Sequence, residues 1–231
     1  MTTCTRRLLS EPATKVPAVT DYLDITRTAY NTVAADYAEL LRDHLAGSTW
    51  DRAMLGAYAE LVQAAGGGRV AEIGCGPGRI TDYLHGLGLD IRGIDLSPEM
   101  VAVARKWYPH LDFQIGEMPG LSFEDGALAG VVAWYSIIHT PRERLPEIFA
   151  DFHRVLATGG HLMVAFQVGD EVRHIEHAYG HDITCDAYRL SPEKIAEQLG
   201  EAGFSVLSKL VREPSGEFES SPQAYLIARK P

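Results

Sequence analysis

Three glycines at alternate positions, Gly74, Gly76 and Gly78, follow the run Val70, Ala71, Glu72, Ile73 and precede an amphipathic stretch. A strand that runs into bare backbone and then into a helix admits a ligand where a Cβ would collide, so the loop is expected to cradle a nucleotide-like molecule. A dinucleotide fingerprint would need its third glycine where Arg79 stands, and it rarely has an acid two residues before the first glycine, the place of Glu72. No Gly-Lys-Ser/Thr follows, so the phosphate-holding P-loop is missing and the expected ligand carries no phosphate. Seventeen residues beyond Gly78 stands Asp95, at the end of a second apolar run. In doubly wound sheets a carboxylate there accepts hydrogen bonds from the two ribose hydroxyls, so a nucleoside is expected.

The elements that must hold these residues are legible in the periodicity. Short apolar runs at 70–73, 90–94, 112–115, 130–134 and 161–166 alternate with helical patterns near 78–86, 98–107 and 141–156, the pattern of buried parallel strands joined by helices. Ser97-Pro98 and Ser191-Pro192 place a capping oxygen before a proline at the first helical position, and Thr140 to Glu143 has the form of a capping box. Two runs at 204–211 and 224–229 are too close for a helical crossover and must pair antiparallel. Ahead of the glycine loop, Tyr22, Leu23, Ala29, Tyr30, Val33, Tyr37, Leu40 and Leu41 share a helical stripe. A second helix through Trp50, Met54, Tyr58 and Leu61 stops at Gly66, Gly67 and Gly68. Residues 1–20 read as a loose arm and 169–190 as an irregular His-rich segment.

Composition bounds the partners. The chain has 231 residues, 46% of them apolar, enough for one sizeable core, and its net charge of -10 opposes phosphate-rich partners and anionic membranes. Cys4, Cys75 and Cys185 are too few and too scattered for a disulfide framework, and no run approaches the ~18 apolar residues that span a bilayer. A soluble, unexported, cytoplasmic chain is expected.

With these features the chain resembles the class I S-adenosylmethionine-dependent methyltransferases, in particular their small-molecule branch, over residues 22–230. The resemblance is carried by Glu72-Ile-Gly-Cys-Gly-Pro-Gly, Gly93-Ile-Asp-Leu-Ser-Pro-Glu-Met, Gly116-Glu-Met and Phe152-His-Arg-Val-Leu-Ala-Thr-Gly-Gly-His-Leu. It implies an α/β fold, a doubly wound, seven-stranded, mostly parallel Rossmann-like sheet with an antiparallel last strand. An N-terminal helical lid (21–66) and an acceptor cap inserted after strand 5 (169–190) complete a single domain over 21–231. It implies S-adenosyl-L-methionine as cofactor and S-adenosyl-L-homocysteine as product. The glycines would face the methionine part, Glu72 would help hold its amino group, Asp95 would bind the ribose, and Leu96 and Met100 would flank the adenine. Glu117 replaces the family's usual Asp, so the adenine contact passes to the backbone of Gly116 or Met118. Tyr30, Asn31, Ala34 and Tyr37 match a lid pattern whose tyrosines reach the methionine carboxylate, although by spacing alone that stripe reads equally as core. Tyr22, Cys75, Arg79, Tyr135 and Ser136 complete the expected cofactor-binding set, Cys75 as small packing rather than as a nucleophile.

Methyl transfer from a sulfonium is an in-line displacement in which alignment contributes roughly 7–11 kcal/mol, whereas a general base adds ~10²–10⁴-fold. The wall of the pocket therefore outweighs any single base. After the fourth strand, Tyr135-Ser-Ile-Ile lacks the Asn/Asp-Pro-Pro-aromatic motif of amine and glutamine methylases. The acidic residues of metal-dependent catechol methylation are missing too, so a metal-free site is expected. His139 is the candidate base, because neutral imidazole accepts a proton near neutral pH. His174, His177 and His181 would cluster as metal ligands on a helix, but no cysteine or carboxylate completes a tetrahedron. They read otherwise as solvated histidines, or as part of a cap in which His174, Tyr179, His181, Tyr188 and Arg189 close over a flat acceptor; Tyr179 and His181 join His139 as candidate catalytic groups. The expected activity is methylation of a small, aromatic or heteroaromatic acceptor at O, N or C, in specialised metabolism, by a monomer or homodimer. Two alternatives stand beside it: a non-catalytic S-adenosylmethionine-binding protein and a nicotinamide-dependent oxidoreductase.

Overall fold

The structure, a computed structural model, describes residues 19–215 and 219–231. The expected arm over 1–20 falls outside these residues up to position 18, and helix α1 (Val19–Leu41) is the first element described. A short α2 (His44–Gly47) and α3 (Thr49–Ala64) follow. Gly66, Gly67 and Gly68 all take positive φ and turn the chain into β1 (Arg69–Ile73). Next come α4 (Arg79–Gly86), β2 (Asp90–Asp95), α5 (Pro98–Trp107), β3 (Phe113–Ile115) and β4 (Leu128–Trp134). The chain continues through α6 (Leu145–Val155), β5 (Leu156–Gln167), β6 (Val172–Ala178) and β7 (His181–Tyr188). It ends with α7 (Pro192–Glu201), β8 (Ser205–Arg212) and β9 (Gln223–Arg229).

Seven strands form one sheet in the order β3-β2-β1-β4-β5-β9-β8, parallel from β3 to β5, with β9 antiparallel to both its neighbours. The short connection between β8 and β9 dictates that ending, as expected. Successive side chains along β4 feed opposite layers. Val131 and Ala133 join Ile148, Phe149 and Phe152 of α6, while Val132 and Trp134 join Leu55 and Tyr58 of α3. Residues buried on both faces explain why the parallel strands read as continuous apolar runs rather than as alternation.

Two expectations are corrected. The helix expected from position 141 begins at Leu145, after a 3-10 turn at Arg142–Arg144, and no side chain caps it. Pro146 has no N–H to bond the Arg142 carbonyl and belongs in a first helical turn, which sets the start there. The segment expected to be irregular, 169–190, is a β-hairpin: β6 pairs with β7 as a separate antiparallel sheet. Its two-residue turn is Tyr179-Gly180, both at positive φ, the conformation that matches strand twist in tight hairpins. The three histidines therefore lie on strands, with His174 bonded to Asp186 and His177 to Asp182.

Candidate functional site

The C-terminal ends of β1, β2 and β4 line a cavity, partly open to solvent, where the strand order reverses. Doubly wound sheets hold their ligands at this place. The floor is the loop after β1. Gly74 and Cys75 donate their N–H groups to the Ile94 carbonyl at 2.7 and 3.0 Å. Gly76 N–H donates to Asp95 Oδ2 at 2.6 Å and Ser97 N–H to Oδ1 at 2.8 Å. A carboxylate has about four acceptor positions, so each oxygen retains one for a diol. Burial pushes the Asp95 carboxyl up to about 6, against the two backbone donors.

The three loop glycines serve different purposes. A Cβ on Gly74 would collide with Ser136, and one on Gly78 would lie 2.6 Å from Phe113 Cζ. On Gly76 it would meet nothing nearer than Tyr37 Cε1 at 3.8 Å. Packing inside the protein thus dictates the first and third glycines. Gly76, at φ +53, turns its open side to a region bordered by the lid and lines the cavity, whereas Gly78 does not. Beneath the loop, Glu72 is 1% exposed and accepts from the Thr81 hydroxyl, and burial pushes its carboxyl up to about 8. Arg79 neighbours Glu72 and Tyr37, and its Nη1 is buried without a partner among the described residues. A buried guanidinium N–H without an acceptor is rare, and a carboxylate is the group that suits it. The expected S-adenosylmethionine fits at Asp95, whose two oxygens each keep a position for its diol; Arg79 stands behind the cavity wall.

Helix α1 closes the cavity from above. Tyr22, Leu23, Thr26, Arg27, Tyr30 and Tyr37 of this helix line it. Asn31 fixes the helix in place: its Oδ1 accepts from Ser97 Oγ at 2.7 Å, and the same Oγ caps α5 by accepting from Met100 N–H at 3.1 Å. His139 lies in a 3-10 turn after β4, half-buried between the lid and the hairpin. Tyr30 Oη is 2.7 Å from its Nε2, and the Asp186 carbonyl oxygen is 2.8 Å from its Nδ1. Burial lowers the His139 pKa, so the ring is neutral near pH 7. Tyr135, which follows β4 at φ +55, turns its hydroxyl away to Tyr225, within a buried network that includes Asp51, Arg212 and Glu219.

Of the residues named from sequence, Tyr22, Tyr30, Tyr37, Gly74, Gly76, Asp95, Leu96, Gly116, Glu117, Met118, Tyr135, Ser136 and His139 line the cavity. Glu72, Cys75, Gly78, Arg79 and Met100 do not. Cys75 packs with Val101, Ala104 and Phe113, and Met100 with Val33 and Ala34 of the lid. Tyr179 and His181 also stand off the wall. The Tyr179 ring is edge-on to Tyr37 at 5.1 Å, and His181 Nε2 is 2.7 Å from Asp36 of α1. Both join hairpin to lid rather than facing the cavity. In place of the expected cap side chains, β7 turns the thiol of Cys185 and the carbonyl of Asp186 towards His139. Sequence reading missed Leu23, Thr26, Arg27, Ile73, Ser97, Trp134 and Thr140 as wall residues. The helical repeat that places Tyr22 and Tyr30 on one face also carries Thr26, four residues from each, and is the signal that finds it. Among the described residues, no group of three or more His, Cys, Asp or Glu side chains is arranged to hold a metal ion. No described helix is long and apolar enough to cross a membrane.

Residues 70–160 match the family model described as a methyltransferase domain. A demethylmenaquinone methyltransferase of Chlorobaculum tepidum is 33% identical over 93 residues, which is 40% of this chain and 38% of that protein. The chain thus matches less than half the length of this curated relative. Among solved structures, the magnesium protoporphyrin IX methyltransferase of Synechocystis with bound S-adenosylmethionine superposes with a TM-score of 0.69 at 19% identity, covering 94% of this chain and 100% of that one. The 1,6-didemethyltoxoflavin N1-methyltransferase of Burkholderia thailandensis, with bound 1,6-didemethyltoxoflavin and S-adenosylhomocysteine, superposes with a TM-score of 0.66 at 18% identity, covering 94% and 92%. The fold is the seven-stranded Rossmann-like fold of these enzymes.

Proposed function

Because residues 70–160 match a methyltransferase-domain family model and the fold is that of class I S-adenosylmethionine-dependent enzymes, we propose that this protein methylates a small organic acceptor with S-adenosylmethionine as donor. The observation that carries the reading is the open side of Gly76 beside Asp95, whose two oxygens are aligned by the Gly76 and Ser97 N–H groups at 2.6 and 2.8 Å. Asp95 would hold the ribose, the Gly116 to Met118 backbone and Leu96 the adenine, and Tyr37 the carboxylate of the methionine part. When bound, the cofactor supplies a methyl group on a positively charged sulfur, open to in-line displacement.

The chain's own contribution is alignment and exclusion of water. Helix α1 is bonded to the loop after β2 through Asn31 and Ser97, and hairpin β6–β7 rests on α1 through Tyr179 and His181. Besides Asp95 and the loop after β1, the cavity is lined by Tyr22, Thr26, Tyr30, Tyr135, His139 and Thr140. A wall of rings with few charges suits a flat acceptor, aromatic or heteroaromatic. The toxoflavin and demethylmenaquinone enzymes, whose names denote small organic acceptors, support a small-molecule substrate here. We place the reaction in the cytoplasm and in specialised metabolism. Calorimetric titration with S-adenosylhomocysteine, with NADH as control, tests the cofactor; micromolar binding of the first and none of the second is expected. A mass-spectrometric screen of phenols, quinols, indoles and anilines for the gain of one CH2 then identifies the acceptor. Binding of NADH in place of S-adenosylhomocysteine would overturn the reading.

A further inference from the structure

His139 is held at both ring nitrogens by groups from two different elements. A carbonyl oxygen only accepts hydrogen bonds, so the contact of 2.8 Å with the Asp186 carbonyl requires the hydrogen on Nδ1. A neutral ring then has its lone pair on Nε2, and the Tyr30 hydroxyl, 2.7 Å away, donates to it. The remaining neighbour, the Cys185 thiol, is 3.3 Å from Nδ1 and faces the same nitrogen as the carbonyl. The imidazole lone pair is therefore covered by Tyr30. An acceptor in the cavity reaches it only through the phenol oxygen, which keeps lone pairs of its own and belongs to a residue of the cavity wall.

We infer that Tyr30 and His139 form a two-link proton relay whose cavity end is the Tyr30 oxygen, and that the acceptor is a hydroxyl compound. The inference rests on the methyltransferase reading above and adds to it the atom that is methylated. As the acceptor oxygen forms its bond to the methyl carbon, the carbon–sulfur bond pair stays with sulfur. The acceptor's proton passes to Tyr30 Oη, and the proton of Tyr30 passes to His139 Nε2. The positive charge that enters on the sulfonium leaves as imidazolium, which the Asp186 carbonyl continues to accept from at Nδ1 and which returns its proton to water when product departs. An amine needs no such path, because it attacks with a free lone pair and sheds its proton afterwards. A neutral hydroxyl is a poor nucleophile until its proton is shared, and a positioned base is worth ~10²–10⁴-fold to it.

The surroundings favour the resting state that a relay needs. Burial pushes the Tyr30 phenol well up and holds the His139 pKa down, so near pH 7 the phenol keeps its proton and the imidazole is neutral. The titratable and charged groups that face the pair are Tyr37 of α1, Asp95 of β2, and Tyr179, Cys185 and Asp186 of the hairpin. The Asp186 carboxylate itself is turned outward to His174 at 2.7 Å, so the tautomer is set by a backbone carbonyl that no side-chain substitution removes.

The first arm of the test reads the hydrogen bonds of the relay without any reaction. In long-range 15N NMR of the full chain, His139, assigned by its loss in His139→Gln, should carry its hydrogen on Nδ1 at pH 7. Its titration midpoint should lie below the ordinary histidine value of 6.5. Tyr30→Phe removes the donor that stabilises the neutral ring and should move that midpoint up. With the hydroxyl acceptor found by the screen, Tyr30→Phe and His139→Gln should each lower transfer ~10²–10⁴-fold, and the double variant no further. A hydrogen on Nε2, an unmoved midpoint in Tyr30→Phe, or an amine acceptor turned over equally by Tyr30→Phe would overturn the relay. Failure of the wild-type protein to bind S-adenosylhomocysteine would instead remove the methyltransferase reading while leaving the NMR result in place.

Discussion

Alanine at two neighbouring loop positions separates a ligand cradle from internal packing. At Gly76 the backbone has φ +53, where a Cβ costs roughly 1–2 kcal/mol. The new atom would lie 3.8 Å from Tyr37, an ordinary contact, so nothing else in the protein must move. For a chain of this size the melting temperature should fall by only ~2–8 °C. The same methyl group projects into the space assigned to the cofactor, where overpacking is typically worth ~1–3 kcal/mol. At about 1.4 kcal/mol per tenfold, S-adenosylhomocysteine should bind ~5- to 150-fold more weakly. Gly78→Ala behaves in the opposite sense. Its Cβ would stand 2.6 Å from Phe113 Cζ at φ +86, which adds core overpacking to backbone strain, ~2–5 kcal/mol together. Its melting temperature should fall further, by ~4–20 °C, while the folded protein keeps its affinity. Calorimetric titration and thermal melts on the two variants decide the matter. Wild-type affinity in Gly76→Ala, or an equal loss in a well-folded Gly78→Ala, would refute the placement of the cradle.

Three further outcomes follow from the buried polar groups. The Asp95 carboxyl ionises at about 6, and only the ionised form has every position free to accept from a diol. Affinity for S-adenosylhomocysteine should thus be about tenfold weaker at pH 5 than at pH 7, and a flat profile would deny Asp95 the ribose. Glu72 has its folded pKa raised from 4.5 to about 8, so the native state keeps a proton that the unfolded chain loses, and this group's contribution makes stability fall as pH rises across that window. Glu72→Gln retains the acceptor for Thr81 and removes the titration, so its melting temperature should decline less than that of the wild type between about pH 5 and 8; identical slopes would count against a buried neutral Glu72. Arg212 pairs with Glu219 and lies 3.7 Å from Asp51, which is 2% exposed. Arg212→Met leaves both carboxylates without their cation and should lower stability by ~3–5 kcal/mol, measured by denaturant unfolding.

Most of the sheet was legible because its signals are local. Parallel strands buried on both faces are apolar throughout, caps such as Ser97 and Ser191 mark helix starts, and the short β8–β9 connection admits only antiparallel pairing. The hairpin was not, although Ile183, Cys185 and Ala187 alternate inward along β7. Its histidines suggested helical spacing, and Tyr179-Gly180 is a less familiar turn than Asn-Gly. The capping-box pattern at Thr140 points to an earlier start for α6 than Pro146 permits, because a proline deeper in the helix would break it.

The amino-acid sequence alone determined the strand order's raw material, the glycine loop and the acid beside it, since each is a matter of residue type and spacing over a few positions. Only tertiary structure decided which glycine opens onto the cavity, that Tyr179 and His181 brace the lid, and which nitrogen of His139 holds a lone pair. Those outcomes depend on partners far along the chain: Tyr30 is 109 residues from His139 and Asp186 is 47. A hydrogen bond's direction is set by both of its ends, and the chain brings those ends together only when the lid and the hairpin are folded against the sheet.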